Sequence, residues 1–281
     1  MEEKVFTATD IEKAARDLGV SEGDIVLVHS SFKSLGQLEN GADTIVTGLL
    51  SALGEEGTLV FPTFCQKDWE HVYESWHLDK DSDVGYLTNY FRKLPGAYRS
   101  DQATHSVAAI GKHAKYLTET HGLTGKRPGH MGHTPFAADS PWQKMYDMGA
   151  KVLLLGVRAR SVTFRHLSEA MYMENCLNKI KKAEKYEEMK GRLREYGKPS
   201  KPEDPWLHLN YFVVEDRMEP FFKKGKIGNA DCMIIDAKFF VDAMIKALES
   251  HDLSWYEVEE EGKNFIAWAD ECERLAKEVR V

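Results

Sequence analysis

The sequence predicts a layered α/β fold, and three observations carry that expectation. Short, strongly apolar runs of strand length recur at Asp24-Ile-Val-Leu-Val-His29, Gly57-Thr-Leu-Val-Phe-Pro62 and Lys151-Val-Leu-Leu-Leu-Gly-Val157. Segments with apolar residues at helical spacing separate them, and glycine or proline punctuates the changes. Continuous apolar runs bounded by turn signals read as buried strands, and strands alternating with helices imply an α/β layered core.

The elements follow in order. Thr9 can cap an amphipathic helix carrying Ile11, Ala14, Ala15 and Leu18, closed by Gly19. The strand ending at His29 runs into a polar loop, Ser30-Ser31-Phe-Lys-Ser-Leu-Gly36. A helix over 42–53 precedes the strand at 57–62. Residues 65–83 are rich in aromatic, histidine and acidic residues and show no clear period. A helix over 86–94 is followed by a turn at Pro95-Gly96. Ser106-Val-Ala-Ala-Ile-Gly111 reads as a strand whose small Ala108 and Ala109 allow tight packing, and 113–121 as a helix. Residues 125–141 form a long loop holding His130, His133, Pro135, Asp139 and Ser140; loops of that length are usually functional or disordered. A short helix over 142–148 leads to the strand at Lys151. Residues 171–196 read as one long charged helix with a stripe of Met173, Leu177, Ile180, Tyr186, Met189 and Leu193, broken by the proline-rich 197–205. That helix is either a projecting subdomain or a cover on the sheet. Strands at 210–215 and 232–235 and helices at 237–248 and 265–279 complete the chain.

Composition narrows the function. The 281 residues suffice for a substantial core. No apolar run approaches a membrane span, and Met1-Glu-Glu-Lys4 lacks a secretory hydrophobic region, so a cytoplasmic protein is expected. Cys65, Cys176, Cys232 and Cys272 are scattered without CxxC spacing, which predicts buried or inert thiols. The net charge of −8 argues against nucleic acid and is compatible with a cationic substrate.

The segment richest in chemistry is Thr163-Phe-Arg-His166-Leu-Ser-Glu169, shortly after the apolar run at 151–157. It reads as a helix start with Thr163 able to cap it. Residues three apart share a helical face, so Thr163, His166 and Glu169 bring a hydroxyl, an imidazole and a carboxylate together. An imidazole titrates near neutrality and a carboxylate can orient it and stabilise its cation, which makes a general base for an amine. The same residues also fit a capped helix with a satisfied histidine. No GxSxG elbow, Walker A loop or GxGxxG turn is present. The eleven histidines, among them His71, His77, His130 and His133, show no HExxH spacing, so no metal is expected.

Several segments, in order, resemble the aminoglycoside 3-N-acetyltransferase family. They are Val28-His29-Ser30-Ser31-Phe32-Lys-Ser-Leu35-Gly36, Gly57-Thr-Leu-Val-Phe-Pro-Thr63, Phe91-Arg-Lys-Leu-Pro-Gly-Ala-Tyr-Arg-Ser100, Thr104-His105-Ser106-Val-Ala-Ala-Ile-Gly111, Thr134-Pro-Phe-Ala-Ala-Asp-Ser140-Pro141, Val152-Leu-Leu-Leu-Gly156-Val157, Thr163-x-x-His166-x-x-Glu169 and Gly225-Lys-Ile-Gly228-Asn-Ala230-Asp-Cys232. The resemblance implies a single domain over 1–281, an α/β/α layered sandwich with a mixed central sheet; the run after His166 adds, on its own pattern, a charged helical insertion at about 173–206. It implies acetyl-CoA as co-substrate and an amine as acceptor. His166 and Glu169 match the family's catalytic pair, and Thr163 matches the residue that stabilises the tetrahedral intermediate. His29, Ser30, Ser31, Phe32 and Lys33, with Thr104, His105 and Ser106, match segments lining the CoA channel.

The acceptor side matches less well. Ser168 and Ser106 replace the family's frequent Ala and Pro, and 178–205 matches nothing in it. Arg165 sits beside His166, where a cation facing the pocket would repel a polycationic acceptor; adjacent helical positions diverge, so Arg165 is expected to point elsewhere. For a cationic acceptor, acidic residues from the irregular stretch (Asp68, Glu70, Glu74, Asp79, Asp81, Asp83) are candidates, with Asp79, Asp81 and Asp83 expected to bind substrate. Lys33 and Arg99 are candidates for the CoA phosphates. The expected activity is acetyl transfer in a ternary complex to an aminoglycoside or related amino sugar. A thioester or amide hydrolase and a sequestering protein for cationic antibiotics are the alternatives. Expected partners are a small cationic amine, not nucleic acid or a membrane, with a homodimer left open.

Overall fold

The computed structural model describes residues 4–68, 71–129, 131–195, 198 and 200–279. Met1, Glu2 and Glu3, Glu70 of the acidic stretch, His130 of the long loop, and Tyr196, Gly197 and Pro199 near the predicted helix break lie outside these residues.

The chain begins with β1 (Val5–Phe6) and α1 (Ala8–Leu18). Thr7, not Thr9, caps α1: its hydroxyl accepts from the Asp10 N–H, and the Asp10 carboxylate accepts from the Thr7 N–H. This reciprocal pair satisfies two amides that a helix start leaves open. Then come β2 (Ile25–Ser30), β3 (Gln37–Leu38), α2 (Ala42–Leu53), β4 (Thr58–Pro62), α3 (Tyr86–Phe91), β5 (Tyr98–Arg99), β6 (Val107–Gly111), α4 (Ala114–Thr118), α5 (Pro141–Asp147) and β7 (Lys151–Leu155). The last third supplies α6 (Phe164–Lys179), α7 (Tyr186–Gly191), α8 (Tyr211–Met218), β8 (Lys223–Ile227), β9 (Ala230–Asp236), α9 (Ala237–Leu248) and α10 (Glu259–Val279).

Among the described residues, seven strands form one mixed sheet in the order β5-β6-β4-β2-β7-β9-β8. The three central strands are parallel, with Leu27 of β2 opposite Val60 of β4 and Val152 of β7. The flanking pairs are antiparallel. Strand residues alternate between two separate cores, as the two-residue period of a strand requires. Val26, Val28, Phe61, Leu153 and Leu155 pack with α1, α2 and α3; Leu27, Val60, Val152 and Leu154 pack with α4, α5, α6, α9 and α10. The layering is therefore α/β/α, with apolar β2, β4 and β7 buried on both faces.

Two further sequence expectations fail. The long helix over 171–196 does not form: α6 ends at Lys179, the chain turns, and α7 is a separate short helix. A straight helix over that range would be about 39 Å long. The turn instead brings buried Met189 back to the core, where the Trp268 indole N–H donates to its carbonyl at 2.9 Å. The predicted strand at 210–215 is the helix α8. Asn210 Oδ1 accepts from the N–H groups of Phe212 and Val213, and the cap overrides the β-branched run while Val214 and Met218, four apart, are buried. Strand β8 has no signal in the sequence, because Lys-Lys-Gly-Lys reads as a surface loop; lysines on an edge strand discourage pairing with other chains. All four cysteines are free and buried. Among the described residues, no helix is long and apolar enough to cross a membrane.

Candidate active site

The carboxyl ends of parallel strands gather loops where α/β proteins bind ligands. Here β2 ends at His29 and Ser30, β4 at Pro62, and β7 at Leu155, followed by Gly156 with φ +65°. A Cβ on Gly156 would collide with the Ser34 hydroxyl, so this tight turn, which directs the chain toward Thr163, requires glycine. A cavity of about 570 Å³ opens at these ends. His29, Ser30, His105, Thr163 and His166 all line it.

His166 stands on the first turn of α6. Its Nδ1 lies 2.7 Å from Glu169 Oε2, and both side chains are almost fully buried. A carboxylate only accepts, so Nδ1–H donates to it and the tautomer leaves the lone pair on Nε2. The ring is seated by aromatic neighbours: His105 at 6.0 Å edge-on and Phe136 at 5.8 Å between centroids. His105 in turn packs on Phe64, and its carbonyl accepts from the Trp142 indole N–H at 3.0 Å. Trp142 stacks edge-on against Phe164 at the start of α6. The core thus fixes the turn that carries the imidazole.

The charge state of His166 differs from the sequence expectation. A carboxylate beside the ring would by itself raise its pKa; instead burial, with the charges of Arg165 and His208, holds it well below the ordinary histidine value. His166 is therefore a neutral base at neutral pH. Thr163 occupies the N-cap position, but its backbone is already helical and its hydroxyl makes no capping bond. The capping alternative for this hydroxyl is removed, and it lines the cavity instead.

The expected cofactor residues divide. Ser30, Ser31, Phe32 and Lys33 line a second cavity of about 580 Å³ with Tyr86, and Ser30 lines both cavities. His29 lines the first; it is 8% exposed, its Nε2 has no hydrogen-bond partner among the described residues, and burial with Arg165 lowers its pKa to about 3. Thr104 and Ser106 line neither. The Thr104 hydroxyl binds His105 Nδ1 and Gln102 Oε1, which holds His105 in place, and the Ser106 hydroxyl donates to the Thr63 carbonyl; both residues are fully buried. Arg99 is half-buried and committed to the protein, donating to the carbonyls of Thr63 and Leu78 and stacking over Trp76.

Among the described acids of the irregular stretch, none lines the cavity. Asp83 accepts from the N–H groups of Gln66 and Lys67, Asp81 pairs with Arg92 and Lys93, and Asp79 is exposed. Arg165, expected to point elsewhere, lines the cavity with its guanidinium 3.7 Å from the Tyr211 ring centre. The start of α6 is flanked by α8, so an adjacent position still faces the site. Phe64, Gln66, Arg160 and Tyr211 also line the cavity, and sequence reasoning misses them; only the position of Arg165 beside His166 gives a signal. His133 of the long loop pairs with Glu195. Among the described residues no cluster of three metal-ligating side chains occurs.

The sequence profile of the aminoglycoside 3-N-acetyltransferase family matches residues 27–249. The chain is 30% identical to aminoglycoside N(3)-acetyltransferase III of Salmonella sp. over 279 residues, covering 88% of this chain and 93% of the relative. In fold it is similar to a histidine-to-alanine variant of aminoglycoside acetyltransferase AAC(3)-IVa in complex with a gentamicin, at TM-score 0.69, 23% identity and coverage of 93% and 95% of the two chains. It is also similar to AAC-IIIb in a binary complex with CoASH, at TM-score 0.67, 20% identity and coverage of 91% and 99%.

Proposed function

The chain belongs to the aminoglycoside 3-N-acetyltransferase family, and from that premise we propose that it transfers the acetyl group of acetyl-CoA directly to an amino group of an aminoglycoside or related amino sugar. The observation that carries this reading is the buried His166–Glu169 pair on the wall of a cavity at the strand ends. His166 Nε2 takes a proton from the acceptor amine as its nitrogen attacks the thioester carbonyl. Glu169 keeps Nδ1 protonated and stabilises the imidazolium that forms. The Thr163 hydroxyl donates to the carbonyl oxygen as it becomes an oxyanion. The new C–N bond remains, the C–S bond breaks, and His166 returns its proton to the departing thiolate. The loop of Ser30, Ser31, Phe32 and Lys33 would hold the donor, since Ser30 lines both cavities. Each cysteine is buried, which supports a direct route over an acyl-cysteine intermediate. A cytosolic acetyl-CoA supply fits this reading.

Free CoA release, with and without acceptor amine, and the product mass test it. Acceptor-dependent release with a gain of one acetyl group is expected; equal release without acceptor would make the protein a thioester hydrolase.

A further inference from the structure

The lining of the cavity that holds His166 carries the cations Arg160 and Arg165 and, among the described residues, no acid. The acids near these arginines sit behind them. Glu215 accepts from the Arg160 backbone N–H and lies 3.5 Å from Arg158 and 3.9 Å from the Arg160 guanidinium; Glu219 pairs with Arg158 at 3.0 Å. Arg165 has no carboxylate partner among the described residues. One face lies on Tyr211, its Nη1 donates to the Arg160 carbonyl, and its Nε is buried with no acceptor among the described residues. A half-buried cation without a counter-ion is costly, and a ligand anion would supply the missing charge. Its field also reaches the reacting end of the cavity, since it depresses the protonation of both His29 and His166. Asp79, Asp81 and Asp83, which could have offset it, are exposed or committed elsewhere.

We propose that Arg165, supported by Arg160, selects acceptor amines that carry an anionic group, such as a phosphate or carboxylate on an amino sugar, and disfavours polycationic acceptors. This rests on the transferase reading of the proposed function and, among the acceptors named there, favours related amino sugars that bear an anion over the aminoglycosides themselves. Specificity of this kind is a difference between two affinities, set here by attraction to one acceptor and like-charge repulsion of the other. A planar guanidinium suits carboxylate and phosphate oxygens better than an ammonium would.

The test compares kcat/KM of the purified protein for D-glucosamine 6-phosphate, D-glucosamine and kanamycin, with acetyl-CoA as donor. The phosphate isolates the anion on one sugar; kanamycin adds positive charge. The expected order is glucosamine 6-phosphate about tenfold above glucosamine, with kanamycin below both. In Arg165→Gln that preference for the phosphate collapses about tenfold and the KM for acetyl-CoA holds, while Arg165→Lys keeps part of it. Should Arg165→Gln fail to fold, Arg160→Gln, at a half-exposed side chain, is expected to move the ratio the same way. Kanamycin preferred over the phosphate sugar in the wild type would overturn the proposal. So would a rise in the KM for acetyl-CoA in Arg165→Gln with the acceptor ratio unchanged, because the arginine would then serve the phosphates of CoA. CoA release that ignores every amine would overturn this inference together with the transferase reading, and the no-acceptor control separates that case from the others.

Discussion

His121 and His166 are both buried histidines whose protonation is opposed first by burial, yet they are built for different ends. His121 Nε2 donates to the Pro135 carbonyl and its Nδ1 accepts from the Ser100 hydroxyl, each at 2.9 Å. Both nitrogens are committed, and the ring ties together three segments distant in sequence. His166 commits Nδ1 to a carboxylate and stands on a cavity wall. Burial sets the neutral charge state in both; the partner and the access to substrate separate a base from a rivet.

Removing each imidazole in turn should separate the two roles most visibly. His166→Ala is expected to lower kcat/KM by about 100-fold to 10,000-fold, the range general-base catalysis supplies, with CoA affinity nearly unchanged. His121→Asn should leave turnover within a few-fold in whatever fraction stays folded. Steady-state kinetics on both variants decide it; a turnover loss confined to His121→Asn would reverse the assignment.

The next effect is on stability. His121 has its pKa lowered from 6.5 to about 4. Below pH 6.5 the unfolded chain takes up a proton that the folded chain refuses until about pH 4. The stability it contributes is therefore full above the unfolded value and lost as pH falls through that window, by about 2 kcal/mol between pH 7 and pH 5. Urea unfolding at the two values should show His121→Gln less stable at pH 7 but less sensitive to acid. Equal acid sensitivity in the two proteins would mean that another group, such as His29, governs the loss.

Glu169 sharpens the contrast on the other side. Removing its negative charge disfavours the imidazolium, so in Glu169→Gln the acidic limb of kcat/KM should move to lower pH and kcat should fall about tenfold. The comparison needs one acceptor for both proteins, because the amine titrates as well. An unchanged limb with unchanged kcat would reduce Glu169 to packing.

Much of this is readable from residue order alone. Three apolar runs become the three parallel central strands, and the helical spacing of His166 and Glu169 becomes a 2.7 Å hydrogen bond. What fails depends on tertiary context. Tyr211-Phe-Val-Val214 has strand propensity but is capped as a helix by Asn210, and the turn after Lys179 answers to the position of Trp268. The sign of the His166 pKa shift needs the burial, and the direction of Arg165 needs α8 beside α6, neither of which sequence spacing encodes.

The smallest effect concerns the acidic loop, which composition offers as the acceptor site and which contrasts with the arginine wall. Asp79 is exposed and does not line the cavity, so Asp79→Asn should leave kcat/KM within about twofold for every acceptor, as surface substitutions do. Asp83 is different in kind. Its carboxylate gathers the N–H groups of Gln66 and Lys67, and Gln66 lines the cavity. Asp83→Asn keeps the shape but loses an ionised acceptor for two amides, so the loop should loosen and the acceptor KM rise a few-fold with little change in kcat. Because this effect acts through Gln66, it should be similar for neutral and charged acceptors. A rise restricted to polycationic acceptors would show that Asp83 meets substrate charge directly, and the acidic loop, not the arginine wall, would then set acceptor preference.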